Sequence, residues 1–170
     1  MSTFAEAQSI ASDTTVYERT QRRCVINHVD HVEQAGEMIN HVEQEEQVEG
    51  LKALASEVGQ IAYAVHEYFG TGLLEKVYET AFEHRLQKAG YKVERQKPLN
   101  VYDEDGFCVG EYFVDLYIND CLVVELKATA ALVPEHFAQI INYLKIMEKP
   151  VGLLVNFGSR KFERRTVYRG

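Results

Sequence analysis

Apolar residues follow helical spacing from residue 51 onward. The first set recurs every three or four positions and comprises Leu51, Leu54, Ala55, Val58, Ile61, Ala62, Val65 and Phe69. A second set with the same spacing runs from Leu74 to Ala89, and Gly70 and Gly90 follow the two sets. The pattern predicts two amphipathic helices joined by a tight turn at Gly70-Thr71-Gly72.

Beyond Gly90 the pattern becomes typical of β-strands. Strand-like segments cover residues 91–95, 99–102, 107–118 and 121–127, with reversals at 103–106 and 119–120. Pro134 can begin a third helix, residues 151–157 form a largely apolar strand, and residues 161–168 are a candidate last strand. The predicted order is ααββββαβ(β), which is an α/β fold class.

The first 48 residues lack this regular pattern and are acidic. Residues 1–50 carry a net charge of −7 out of −8 for the whole chain. We expect an N-terminal extension over residues 1–48, partly helical or flexible, and one domain over residues 49–170. The acidic extension is a candidate surface for a protein partner. We interpret its histidines, His28, His31 and His41, as solvated side chains rather than metal ligands, because no paired cysteines accompany them.

Composition argues against several classes of protein. Cys24, Cys108 and Cys121 are odd in number and have no CxxC spacing, so a reducing, cytoplasmic location fits best. No run approaches the roughly 20 apolar residues of a membrane span, so we expect no membrane partner. The net charge of −8 argues against a surface that binds nucleic acid all over, because phosphate contacts come from lysine and arginine.

Two acids and a lysine are predicted to share one face of a β-hairpin. Because side chains alternate along a strand, one face is aliphatic and contains Val114, Leu116, Ile118, Leu122, Val124 and Leu126. The other face then contains Phe113, Asp115, Tyr117, Val123, Glu125 and Lys127. A three-residue turn at 119–121 would place Asp115 directly across from Glu125, with their Cβ atoms about 5 Å apart.

This predicted face has the groups needed for metal-assisted hydrolysis. Adjacent carboxylates repel each other unless one is protonated or a cation lies between them, and Mg²⁺ prefers oxygen ligands. Asp115 and Glu125 are therefore candidate ligands for Mg²⁺, for which Mn²⁺ can substitute. Lys127 can orient or deprotonate a water and stabilise charge on a phosphate. A structural ion-pair cluster is the alternative reading of the same three residues.

The chain resembles the GxxExxY family, a branch of the PD-(D/E)XK nucleases. The resemblance rests on Gly72-Leu73-Leu74-Glu75-Lys76-Val77-Tyr78, Asp115, Glu125-Leu126-Lys127 and Gln139-Ile140-Ile141-Asn142-Tyr143, and runs from about Glu57 to the C-terminus. It implies a restriction-endonuclease-like core with a mixed central sheet flanked by helices. Two positions depart from the pattern: Thr71 stands where relatives often have proline, and Val114 precedes Asp115 where the superfamily's name places proline.

The resemblance also implies roles for individual residues. Asp115 and Glu125 would hold the metal, the Leu126 carbonyl would be an additional ligand, and Lys127 would be the catalytic lysine. Glu75 corresponds to the family's helical acid and would bind the metal directly or through water. Gln139 and Tyr143, four residues apart on one helix face, would position the substrate or the active site. His66 ranks below the six residues whose side chains are given a role here, and is interpreted as a packing residue.

We therefore expect a metal-dependent nuclease that hydrolyses phosphodiester bonds in DNA. The alternative is a catalytically silent nucleic-acid-binding or regulatory protein-interaction module on the same fold. Such a module would contact the nucleic-acid backbone through basic residues such as Lys92, Arg95, Lys97, Arg160, Lys161, Arg164 and Arg165. The choice of DNA over RNA and a homo-oligomeric state are both left open by the sequence.

Overall fold

The computed structural model describes residues 44–170. The predictions made for the N-terminal extension, including those for His28, His31 and His41, lie outside the described residues, apart from its last five positions. The described chain begins in helix α1, residues 44–69, so this helix extends further toward the N-terminus than the apolar spacing from Leu51 predicts. None of the described helices is long and apolar enough to cross a membrane.

The remaining elements of the described chain are two helices and five strands. They are α2 (Glu75–Lys88), β1 (Val93–Tyr102), β2 (Cys108–Ile118), β3 (Leu122–Lys127), α3 (Pro134–Ile146), β4 (Val151–Asn156) and β5 (Glu163–Tyr168). The five strands form one sheet in the order β1-β2-β3-β4-β5. Strands β3 and β4 are parallel, and every other neighbouring pair is antiparallel. The predicted mixed central sheet and the last strand are both confirmed.

One predicted boundary inside the sheet is wrong. The segments 91–95 and 99–102 were expected as two strands, but they form the single strand β1, which includes Pro98. Strand β1 is at the edge of the sheet and pairs only with β2. A proline is tolerated in an edge strand because one side of that strand has no ladder partner.

Helices cover both faces of the sheet. One core cluster joins α1 and α2 to one sheet face and includes Ala62, Phe82, Leu116, Val124 and Val155. The other cluster joins α3 to the opposite face and includes Ile140, Leu144, Tyr117, Val123 and Leu154. The alternation along β3, with Val124 in the first cluster and Val123 in the second, explains why both faces of this strand are buried.

The predicted alternation fails at Val114. This residue packs in the α3 cluster with Tyr117, rather than with Leu116 in the cluster on the opposite face. The ladder between β1 and β2 skips one step next to Val114, and Gln96 at that step has a φ of +50°. A φ in this region is uncommon for a residue other than glycine. Here it marks the point, beside Asp115, where the side chains of β2 change the sheet face to which they point.

Candidate active site

The β2–β3 hairpin places the two predicted metal ligands together. Asn119 and Asp120 both have positive φ, and the strand register pairs Leu116 with Val124. One further step along this register sets Asp115 opposite Glu125, as the three-residue turn at 119–121 predicts. The ladder ends before that step, and Asp115 Oδ2 instead accepts a hydrogen bond of 2.8 Å from the Leu126 N–H. The Asp115 carboxylate is thereby fixed against the backbone of β3.

Glu125 is an almost completely buried carboxylate, with 1% of its surface exposed. Its Oε1 accepts a hydrogen bond of 2.6 Å from Lys127 Nζ, whereas Oε2 is buried without a partner among the described residues. Burial, with the nearby charge of Asp115 as a further contribution, raises the Glu125 pKa to about 8. An unsatisfied buried oxygen beside a second acid is costly, and a bound cation would remove that cost.

Lys127 remains a cation in this setting. Burial alone would lower the pKa of its ammonium group, but the charge and hydrogen bond of Glu125, together with the charges of Asp115 and Glu75, outweigh burial and leave that pKa raised. A protonated lysine donates hydrogen bonds and accepts none. As a cation, Lys127 can stabilise negative charge.

Glu75 lies at the start of α2 and contacts the end of β3. Its Oε2 accepts a hydrogen bond of 3.0 Å from the N–H of Ala128, the residue after Lys127. The turn before Glu75 is held by Tyr78, whose hydroxyl donates to the Gly70 carbonyl at 2.7 Å and accepts from the Leu73 N–H at 3.2 Å. The tyrosine of the GxxExxY pattern thus has a structural function that its spacing alone did not reveal.

Gln96 is a site residue that the sequence analysis missed. Its Nε2 donates to Glu79 Oε1 at 2.8 Å and to Asp115 Oδ1 at 3.2 Å, so one amide joins α2 to the candidate site. Burial is the main reason that the pKa of Glu79 is raised, and the charge of Asp115 adds to it. The only sequence signal was the position of Glu79, one helical turn after Glu75 and on the same helix face.

Asn156 and Gly158 hold the chain segment that follows Lys127. Asn156 is fully buried, and its Oδ1 accepts hydrogen bonds from the N–H groups of Thr129 at 3.1 Å and Gly158 at 3.0 Å. A Cβ on Gly158 would lie 2.4 Å from the Ala128 carbonyl carbon, so this close approach requires glycine. The polar Asn156 in the otherwise apolar β4 was the available sequence signal.

The two predicted residues of α3 are joined to each other. Gln139 Nε2 donates to the Tyr143 hydroxyl at 2.9 Å. Burial raises the pKa of Tyr143, and the charges of Glu125 and Asp115 contribute in the same direction. The Tyr143 hydroxyl is therefore within electrostatic reach of both acids.

His66 has the surroundings of a packing residue. It is buried, its Nε2 donates to the Ser159 carbonyl at 2.9 Å, and its ring packs 5.4 Å from that of Phe162. Its Nδ1 is buried without a hydrogen-bond partner among the described residues, and the lower rank of His66 stays a prediction.

The donor set fits a hard divalent cation, although the side chains are not arranged as a finished metal site. Within residues 44–170, no group of three or more His, Cys, Asp or Glu side chains is positioned to hold a metal ion. Asp115 and Glu75 accept hydrogen bonds from backbone amides, and Glu125 faces Lys127. The unpartnered Glu125 Oε2 supplies the oxygen that Mg²⁺ prefers. The role of the Leu126 carbonyl stays a prediction.

The basic residues proposed for backbone contact are largely engaged within the protein. Lys92, Arg95, Lys97 and Arg165 form ion pairs with acids. Arg164 donates a hydrogen bond to the Ser56 carbonyl at 2.8 Å. Arg160 and Lys161 are exposed and have no ion pair or side-chain hydrogen bond within residues 44–170. The seven residues therefore do not form a continuous unpaired basic stripe, which weakens the interpretation of this set as a nucleic-acid surface.

A family model describing the PD-(D/E)XK nuclease superfamily matches residues 52–169. The chain belongs to the PD-(D/E)XK nuclease superfamily. Membership agrees with the α/β fold and points to a hydrolase of nucleic acids, while the narrower GxxExxY assignment stays a prediction. Among solved structures, the chain is similar to one described as the crystal structure of SSO0001. The two sequences are 17% identical, the TM-score is 0.45, and the match covers 55% of this chain and 48% of that chain. The search of curated proteins found no significant match.

Proposed function

We propose that this PD-(D/E)XK protein is a metal-dependent nuclease that hydrolyses phosphodiester bonds in DNA. We assign it to the GxxExxY branch, with Mg²⁺ as its cofactor and Mn²⁺ as a substitute. The observation that carries the proposal is the buried Glu125 carboxylate, which has one unpartnered oxygen and lies beside Asp115 and Lys127. A buried, incompletely satisfied group of this kind in a nuclease superfamily is a marker of a functional site.

Four residues are proposed to hold the cation. Asp115 and Glu125 would be direct ligands, the Leu126 carbonyl an additional ligand, and Glu75 a direct or water-mediated one. A bound divalent cation would stabilise charge on the phosphate and lower the pKa of a water molecule. The hydrogen bonds from Leu126 N–H and Gln96 Nε2, one to each carboxylate oxygen, hold the Asp115 side chain in a defined orientation.

Lys127 is proposed to stabilise the charge that develops on the phosphate during cleavage. Its raised pKa keeps the ammonium group protonated near neutral pH, so it can donate hydrogen bonds to phosphate oxygens or orient the attacking water. Gln139 and Tyr143 would position the nucleic-acid strand from α3.

The second candidate function is the catalytically silent module. It is favoured by the short Lys127–Glu125 ion pair of 2.6 Å and by the absence, within residues 44–170, of a finished group of metal ligands. In this case Lys127 would stabilise the fold by compensating Glu125, and any nucleic-acid or protein binding would not require a metal.

A cleavage screen tests the proposed nuclease. Purified protein is incubated with single-stranded, double-stranded and branched DNA and with RNA, in Mg²⁺, in Mn²⁺ and in EDTA. We expect cleavage of DNA that EDTA abolishes and that Asp115→Asn removes. Asp105→Asn is the matched control, because Asp105 lies in the exposed β1–β2 turn. Equal activity of wild type and Asp115→Asn, or activity in EDTA, would overturn the proposal.

A further inference from the structure

We propose that a groove between α3 and the β1–β2 hairpin binds one nucleobase of the nucleic-acid strand, next to the phosphate at the candidate active site. This inference rests on the proposed nuclease function and names a subsite of it. Tyr112 provides the ring on which the base stacks, and Asn142 provides hydrogen bonds to the edge of the base.

The groove adjoins the candidate active site through two shared residues. Gln139 and Tyr143 line it from α3, and they are the same two residues predicted to position the substrate. Their side chains are hydrogen-bonded to each other at 2.9 Å. A strand whose phosphate lies beside Lys127 and whose path follows Tyr143 would therefore bring a neighbouring nucleotide to this groove.

The groove has the size and the lining of a small-ligand site. Its volume is about 580 Å³, within the usual range for pockets that bind small molecules. Val101 and Ala138 contribute apolar walls, and the Tyr112 ring lies 5.9 Å from that of Tyr143. Tyr112 is 49% exposed, so one part of its ring is open to a ligand while another part contacts Tyr143.

Asn142 adds a polar group suited to recognising a base. It lines the groove, is exposed, and has no hydrogen-bond partner within residues 44–170. A side-chain amide offers two donors and two acceptor lone pairs, which match the edge of a nucleobase. An aromatic ring beside a free amide is the combination that protein sites use to hold an unpaired base.

The position of Tyr112 follows from the irregularity in the β1–β2 ladder at Gln96. The irregularity that turns Val114 toward α3 also puts Tyr112, rather than Phe113, beside Tyr143.

The test compares the binding of intact and abasic strands. The probes are fluorescently labelled, short single-stranded oligonucleotides of DNA and of RNA, together with versions that lack the base at one position at a time. Affinity is measured by fluorescence anisotropy with Ca²⁺ in place of Mg²⁺, and a gel confirms that the probe stays intact. The full-length proteins are wild type, Tyr112→Leu, Tyr112→Phe and Tyr102→Leu. The last of these changes another exposed tyrosine of the same hairpin, outside the groove.

We expect one abasic position to weaken the binding of wild type about tenfold, the size typical of one lost stacking contact. Tyr112→Leu should weaken binding of the intact strand by a similar factor. Its affinity should then be the same for the intact strand and for the strand that lacks this base. Tyr112→Phe should bind like wild type because it keeps the ring. Tyr102→Leu should leave binding unchanged.

The subsite would be overturned by equal affinity for intact and abasic strands, by unchanged binding of Tyr112→Leu, or by an equal loss in Tyr102→Leu. The same is true if no probe binds. Failure of the nuclease proposal is distinguishable, because it appears as normal base-dependent binding without cleavage in the screen. Cleavage without base-dependent binding would instead remove the subsite alone.

Discussion

Replacing Glu125 by glutamine should stabilise the metal-free protein. Glu125 is 1% exposed, and its pKa of about 8 lies well above the ordinary value of 4.5. Between these two values the folded protein holds a proton that the unfolded chain has released, so stability falls as the pH rises from about 4.5 to about 8. Glutamine resembles the protonated form at every pH, so the variant does not suffer this loss.

The size of the effect follows from the difference between the two pKa values. Each pH unit above 4.5 costs the wild type about 1.4 kcal/mol until the folded carboxyl ionises. At pH 7 the glutamine variant should therefore be more stable by on the order of 3 kcal/mol, and near pH 4.5 the two proteins should be equal. A saturating divalent cation should reverse the order, because it stabilises only the protein that has both carboxylates.

Urea unfolding at several pH values in EDTA, and again with Mn²⁺, measures this prediction. Glu111→Gln is the matched control, since Glu111 is an exposed glutamate of β2. That control should show no comparable gain as the pH rises. A wild type that is more stable than Glu125→Gln at pH 7 in EDTA would refute the reasoning. It would mean that the ion pair with Lys127 stabilises an ionised Glu125 by more than its burial costs.

Three further predictions concern the ligands and the supporting structure. Asp115→Asn should weaken Mn²⁺ binding in titration calorimetry while Asp105→Asn leaves it unchanged, and equal binding by Asp115→Asn would refute the ligand assignment. Tyr78→Phe should lower the free energy of unfolding by about 1–2 kcal/mol, because it leaves the Gly70 carbonyl and the Leu73 N–H without their partner; no loss relative to Tyr102→Phe would contradict this. A chain starting at Val48, which packs against the core, should unfold as cooperatively as the full-length protein; aggregation of the short form would count against a separate extension over residues 1–48.

The features that the sequence predicted correctly depend on local patterns. The helical spacing from Leu51 and the aliphatic alternation from Leu116 to Leu126 are strong signals, because each element buries one face. The same alternation fixed the register of the β2–β3 hairpin, since a slip of one residue would expose that face. The proximity of Asp115 and Glu125 followed from this register.

The features that were missed depend on contacts between distant residues. Gln96 reaches Asp115 because it adopts a positive φ in the middle of a strand, and nothing in the hydrophobic pattern indicates such a conformation. The same irregularity moved Val114 to the other face of the sheet. Asn156 holds a loop that is 27 residues away in the sequence, so its role becomes visible only when β3 and β4 are paired.

The most direct test of the nuclease assignment is the cleavage rate of Lys127→Met. Lys127 shares the site with both acids but, as a cation, cannot be a metal ligand, so its loss should leave the fold and most of the Mn²⁺ affinity intact. Lys88→Met, at an exposed position of α2, is the matched control. We expect Lys127→Met to cleave DNA about 10²-fold or more slowly than wild type, at nearly unchanged stability in Mg²⁺. A wild type that binds metal but cuts no substrate, together with a Lys127→Met protein that is only less stable, would contradict the nuclease assignment and identify Lys127 as half of a structural ion pair.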